Sequence, residues 1–148
     1  MYFVNRQEID QTLSYFDQLI TFYKELSIQS ELEKKALERI VHLMIETVLD
    51  TGNMLIDGFI MRDPGSYLDI IHILVDEQVI RKNEKEAYEQ LIELRKILVV
   101  DYKTIDHHYV SDIIARHLDT YETFSNQVSE FLQQQIGVAN TFIDTEKS

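Results

Sequence analysis

The sequence predicts an all-α fold: an up-and-down bundle of four long helices and one short one. Three observations carry this. The 148 residues include only four glycines and one proline, too few for the turns of an all-β or α/β chain. Apolar residues recur three and four apart over long stretches. Cap-forming residues stand where those stretches begin.

The first helix follows from Ile9, Leu13, Phe16, Ile20 and Tyr23, spaced four, three, four and three, with Asn5 as its cap. Ser30 and Glu33 form a capping box that opens the second helix, which is expected to run to about Met61. The stretch RDPGS breaks the chain there, because Pro64 and Gly65 stop helices. Ser66 with Asp69 caps a short third helix, Tyr67 to Val75. Asn83 is the expected cap of a fourth, ending near Tyr102. A fifth is expected from about Asp106 to Gln135, with Val110, Ile113, His117, Tyr121, Phe124, Val128 and Phe131 near heptad spacing. Gly137 is its expected end. The reading is therefore one helical domain, residues 1–137, and a loose tail, 138–148.

Composition excludes several functions. Without cysteine there is no disulfide framework, thiolate metal site or cysteine nucleophile. A hydrophobic content of 45% suffices for a core without such staples. No apolar run reaches the ~18 residues that cross a bilayer. MYFVNRQEID lacks the basic and apolar regions of a signal peptide, so a cytoplasmic location is expected. The formal charge of −12 repels nucleic-acid backbones and anionic membranes at long range, through solubilising surface charge. Broad DNA or membrane binding is not expected; a local basic pocket remains compatible with that charge.

Two faces depart from a simple bundle. On the second helix Lys35, Arg39, His42, Glu46, Asp50, Asn53 and Asp57 fall in one narrow arc, while most other positions are apolar. The arc reads either as a solvated strip laced with i,i+4 pairs or as a polar seam whose Glu46, Asp50 and Asn53 face a cation. On the fourth helix Ala87, Tyr88, Leu91, Ile92, Leu94, Leu98, Val99 and Tyr102 share a face, and Arg95 projects into its middle. A guanidinium there needs a carboxylate, which Glu46 or Asp50 can supply. It is either an ion pair tying two helices, an arginine reaching the surface, or a cation held for a phosphate. Val100 points away from Arg95 if the helix continues and, with Ile97, makes a second apolar surface suited to a dimer. Paired Glu-x-x-His motifs for a metal–carboxylate bundle do not occur; Asp69 with His72 is an isolated acidic case, so no metal or cofactor is assigned.

The stretch from His42 to Ile80, with its Glu46, Asp50, Asn53 run and Pro-Gly-Ser-Tyr turn, is followed by LRKILVVDY. Together these resemble the HepT-like branch of the HEPN superfamily, and within it the YutE-like bacterial proteins, over nearly the whole chain. The resemblance implies a helical homodimer and a toxin-type, metal-independent endoribonuclease. It also implies an antitoxin partner, a minimal nucleotidyltransferase that adenylylates the motif tyrosine. The family motif is arginine, four residues, histidine, one residue, tyrosine. Arg95 and Tyr102 match its ends as the implied catalytic residues, and Tyr102 as the modification target. The histidine position holds Val100, which cannot move a proton. His107 and His108 lie just beyond and are candidates to replace it, or are simply loop or cap residues. The alternative is a non-catalytic dimer that keeps the fold as a nucleotide- or protein-binding scaffold.

Overall fold

A computed structural model describes the backbone of residues 4–147 and side chains through Gln135. The described residues form helices and connecting turns only. They are α1 (Arg6–Glu25), α2 (Glu31–Gly58), α3 (Tyr67–Asp76), α4 (Lys85–Arg95), α5 (His107–Arg116), α6 (Leu118–Glu122) and α7 (Phe124–Lys147).

Local chemistry sets most helix starts. The Asn5 side chain accepts from the Glu8 N–H, Ser66 from Asp69 and Asp106 from Tyr109. Ser30 and Glu33 exchange both capping-box bonds. Each satisfies N–H groups that a helix start leaves without intrahelical partners. The link of residues 26–30 folds α2 back along α1, and Ile9, Leu13, Phe16, Leu37, Val41 and Met44 close between them.

Four boundaries differ from expectation. α2 ends at Gly58 rather than near Met61. Its end is closed by the Met61 N–H donating to the Ile56 carbonyl, with Ile60 left-handed at φ 54°. A β-branched residue pays for that geometry, where glycine is usual. Asn83 is not a cap. The Glu84 carboxylate accepts from the Arg81 N–H, so a 3-10 turn, Lys82–Glu84, precedes α4. The expected single helix from Asp106 to Gln135 is broken at His117 and again at Thr123. There the Thr123 hydroxyl donates to the Thr120 carbonyl, and His117 Nε2 lies 2.8 Å from Gln90 Oε1. Such side-chain bonds compete with an unbroken helix, and heptad spacing cannot register them. Finally, α7 continues past Gly137, since an interior glycine costs a helix only ~1 kcal/mol. The side chains of the expected tail, 138–148, lie outside the described residues.

The breaks let aromatic rings meet at the centre. Phe16 packs edge-on to Phe124 at 5.4 Å, and Tyr88 on Tyr121 at 5.6 Å. The Tyr121 hydroxyl donates to the Ala87 carbonyl at 2.7 Å and Tyr88 to Thr120 at 3.4 Å, so two buried phenols bridge α4 and α6 in opposite directions.

Two devices then fix α3 against its neighbours. A side chain at Gly52 would come 2.5 Å from Ile70 Cγ2, so α3 crosses α2 where only glycine leaves room. His72 Nε2 sits 2.9 Å from Glu89 Oε2 and ties α3 to α4. Together they hold the start of α3 beside the end of α4.

Candidate functional site

Arg95 is the last residue of α4. Its Nε donates to Glu46 Oε1 of α2 at 3.0 Å, with the two side chains 29% and 34% exposed. The guanidinium carbon stands 4.6 Å from the centre of the Tyr67 ring at the start of α3, a cation–π contact. Arg95 is thus held from two sides by different elements, and its Nη groups make no described hydrogen bond. They remain donors for a planar, doubly charged or bidentate oxygen acceptor.

The same Glu46 oxygen lies 3.6 Å from His42 Nε2, one turn earlier on α2. On the ring's other side Arg39 Nη1 lies 3.4 Å from His42 Nδ1. Arg39, His42, Glu46 and Arg95 therefore form one row, with Arg39 on the imidazole at one end and Arg95 on the carboxylate at the other. On a chain of net charge −12 this is a small cationic spot.

Of the other expected supporting residues, Asp50 and Asn53 continue the stripe, exposed, with no described contact to Arg95. Partial burial, then the negative charges of Glu46 and Glu8, push the Asp50 carboxyl above its ordinary value. Of the two carboxylates, it is Glu46 that contacts Arg95.

After Arg95 the backbone widens into one π-helical turn, Lys96–Val100, closed by the Asp101 N–H donating to the Lys96 carbonyl at 3.0 Å. That turn changes the helical phase. Leu98 stays buried and Ile97 packs on the core, so Ile97 does not belong to a second outer face. Val99 and Tyr102, expected on the buried face, are exposed at 37% and 58%, and Val100 at 64%. Tyr102 has no described contact with Arg95; the Lys103 ammonium lies 5.8 Å from its ring centre.

His107 turns elsewhere. Its Nε2 lies 2.8 Å from Glu38 Oε2, with side chains 14% and 18% exposed, and Lys35 Nζ reaches the same oxygen at 3.0 Å. Glu38 lies two turns before Glu46, so His107 docks on the stripe far from Arg95. His108 is exposed, with no described contact to Arg95. Asp69 is committed to Arg62 through two hydrogen bonds, and His72 mainly to Glu89. Among the described residues no group of three or more acidic or histidine side chains is placed to hold a metal ion.

Sequence reasoning missed two members of the site. Tyr67 was visible only as the end of a turn motif, and nothing local announces that it lies under Arg95. His42 was visible in the stripe, but its sharing of an oxygen with Arg95 depends on how α4 crosses α2.

The bundle is of the HepT-like class: residues 7–128 match the family described as Ribonuclease HepT-like, and the chain belongs to that family. Within it, the chain is 44% identical over 143 residues to "Putative RNase YutE" of Bacillus subtilis (strain 168), covering 96% of this chain and 99% of that protein. A solved structure of YutE from Bacillus subtilis, described as a cytosolic protein of unknown function, superposes with a TM-score of 0.89 at 43% identity. It covers 93% of this chain and 96% of that one. A structure described as a toxin-antitoxin with AMP-PNP shares the fold at a TM-score of 0.72 and 17% identity, over 81% of this chain and 96% of that one. Among the described residues no helix is long and apolar enough to cross a membrane.

Proposed function

We propose that this protein is a toxin-type endoribonuclease that cleaves RNA without a metal ion at the Arg95 site, as a cytoplasmic homodimer. The observation that carries the reading is Arg95 itself. Its guanidinium is clamped by Glu46 and Tyr67 while its Nη groups stay open. Such a fork fits phosphodiester oxygens and stabilises charge that grows on them as a 2′-hydroxyl attacks phosphorus. Membership of the HepT-like ribonuclease family supports the same chemistry.

The exposed run of Val99, Val100 and Tyr102 beside Arg95 suits a second copy, which would bring two Arg95 side chains to one cleft. Light scattering at micromolar concentration is expected to give twice the monomer mass; monomer alone would remove that cleft. The expected partner is a minimal nucleotidyltransferase antitoxin, with the exposed Tyr102 hydroxyl as acceptor of a nucleotidyl group. A genomic neighbour of that class, and its labelling of wild type but not Tyr102→Phe, tests the pairing.

A second reading is favoured by Val100, a residue that transfers no proton at the motif histidine position: a non-catalytic dimer that binds RNA or nucleotide as a scaffold. Incubation of the purified protein with total RNA in EDTA separates the two. Cleavage that disappears in Arg95→Ala supports the enzyme. Binding without cleavage supports the scaffold.

A further inference from the structure

We infer that His42 is the proton-transferring group of this site, doing from α2 what Val100 cannot do from the motif. The inference rests on the ribonuclease reading above and assigns a residue that the family motif does not contain.

A guanidinium can only donate hydrogen bonds, so the contact from Arg39 Nη1 at 3.4 Å requires His42 Nδ1 to accept. The neutral ring then carries its hydrogen on Nε2, the nitrogen that faces Glu46 Oε1 at 3.6 Å. One ring nitrogen is directed at a carboxylate, as in a general base, and the lone pair of the other is covered by Arg39.

Proximity to Arg95 follows from the shared oxygen. Glu46 Oε1 touches both Arg95 Nε and His42 Nε2, so the two side chains stand no farther apart than those contacts laid end to end. Nδ1 lies across the ring from that oxygen, so the sugar of a phosphodiester on the Arg95 fork has to extend toward Arg39 to bring its 2′-hydroxyl to Nδ1. Arg39 is the gate. It is exposed, its bond to Nδ1 is long, and an arriving phosphate offers it a stronger acceptor. Moving to that phosphate bares Nδ1.

In the step itself O2′ bonds to phosphorus and the P–O5′ bond breaks. The 2′-hydroxyl proton passes to His42 Nδ1, and the departing 5′-oxygen takes a proton from water. The hydroxide so formed removes the proton from the imidazolium, restoring both. The products are a 2′,3′-cyclic phosphate and a 5′-hydroxyl.

The test compares cleavage of a single-stranded RNA in EDTA by wild type, Arg95→Ala and His42→Ala, with and without added imidazole, after circular dichroism confirms that each variant is folded. His42→Ala is expected to be slower by about 100-fold or more, and imidazole to restore part of that loss but none of the loss in Arg95→Ala. Full activity in His42→Ala beside an inactive Arg95→Ala overturns the role of His42 and leaves the ribonuclease reading standing. A loss in His42→Ala that imidazole does not repair also overturns it, because a merely structural histidine gives that result. No cleavage by wild type overturns both.

Discussion

Helix α2 meets an imidazole at two of its carboxylates, and the two meetings are unlike. At Glu38, His107 from α5 closes to 2.8 Å with both side chains largely covered and Lys35 on the same oxygen. At Glu46, His42 of the same helix stands off at 3.6 Å, both groups are about a third exposed, and the carboxylate is shared with Arg95. The first is a joint: distant parts of the chain meet over a short contact, and the imidazole and the carboxylate are largely covered. The second is looser: its imidazole stands farther off, and solvent reaches both the imidazole and the carboxylate. Short, covered contacts fix a fold, whereas groups that must exchange partners with a substrate are left loose and wet.

The largest expected effect belongs to the site. Arg95→Ala should lower RNA cleavage by about 100- to 1000-fold, as removal of one preorganised donor to a developing oxyanion does, while the melting temperature shifts little, because half-exposed ion pairs stabilise only weakly. Unchanged cleavage with a large melting shift would reverse the comparison and make Glu46–Arg95 a second joint.

Next comes the pair of histidines. His107→Ala leaves Glu38 partly covered and without its nearest donor, and is expected to cost about 1–3 kcal/mol in urea unfolding. His42→Ala should cost about 0.5 kcal/mol or less, as changes at open surface positions do. Equal costs would mean that the difference in distance and cover has no energetic content.

How far the sequence led follows the same division. Ser30, Ser66 and Asn5 were legible as caps because a cap is decided within four residues. The Arg95–Glu46 contact was legible from helical phase, since an arginine inside an apolar face requires a carboxylate and the stripe on α2 offered one. The π turn after Arg95 was not legible. It depends on Leu98 keeping its place in the core while the backbone absorbs an extra residue, and with the helix ending at Val100 it leaves Tyr102 off the face that periodicity assigns it. The breaks at His117 and Thr123 were hidden because heptad spacing runs unbroken through both. Tyr67 and His107 were hidden for a simpler reason: their partners lie 28 or more positions away, on elements whose crossing no local pattern encodes.

A smaller effect separates the two carboxylates by pH. Burial raises the Glu38 carboxyl, but hydrogen bonds from His107 and Lys35 outweigh it and hold the group below its ordinary value of 4.5. A carboxyl lowered by folding stabilises the fold above that value and loses its contribution as the pH falls through the lowered one. Unfolding free energy is therefore expected to drop on acidification below about pH 4.5 by more in wild type than in Glu38→Gln. Parallel pH curves for the two proteins would show that His107 and Lys35 do not favour the charged form.

Asp50 provides the smallest effect and the opposite sign. Its carboxyl is raised, by burial first and then by the neighbouring charges of Glu46 and Glu8. A carboxyl raised by folding favours the fold only while protonated, so its ionisation works against stability as the pH rises through the raised value. Asp50→Asn, which keeps the shape and removes the charge, should stabilise the protein at pH 7 by a few tenths of a kcal/mol, screening at this exposed position keeping the gain small. The gain should shrink to nothing in acid, where aspartate is neutral in both states. It should shrink as well in high salt, because part of it is repulsion across solvent. Destabilisation at pH 7 would instead mean that the Asp50 charge has an attractive partner, for which Arg95, already held by the neighbouring Glu46, is the candidate. The acidic stripe would then serve its arginine with two carboxylates, and Glu46 would be free to spend its charge on His42.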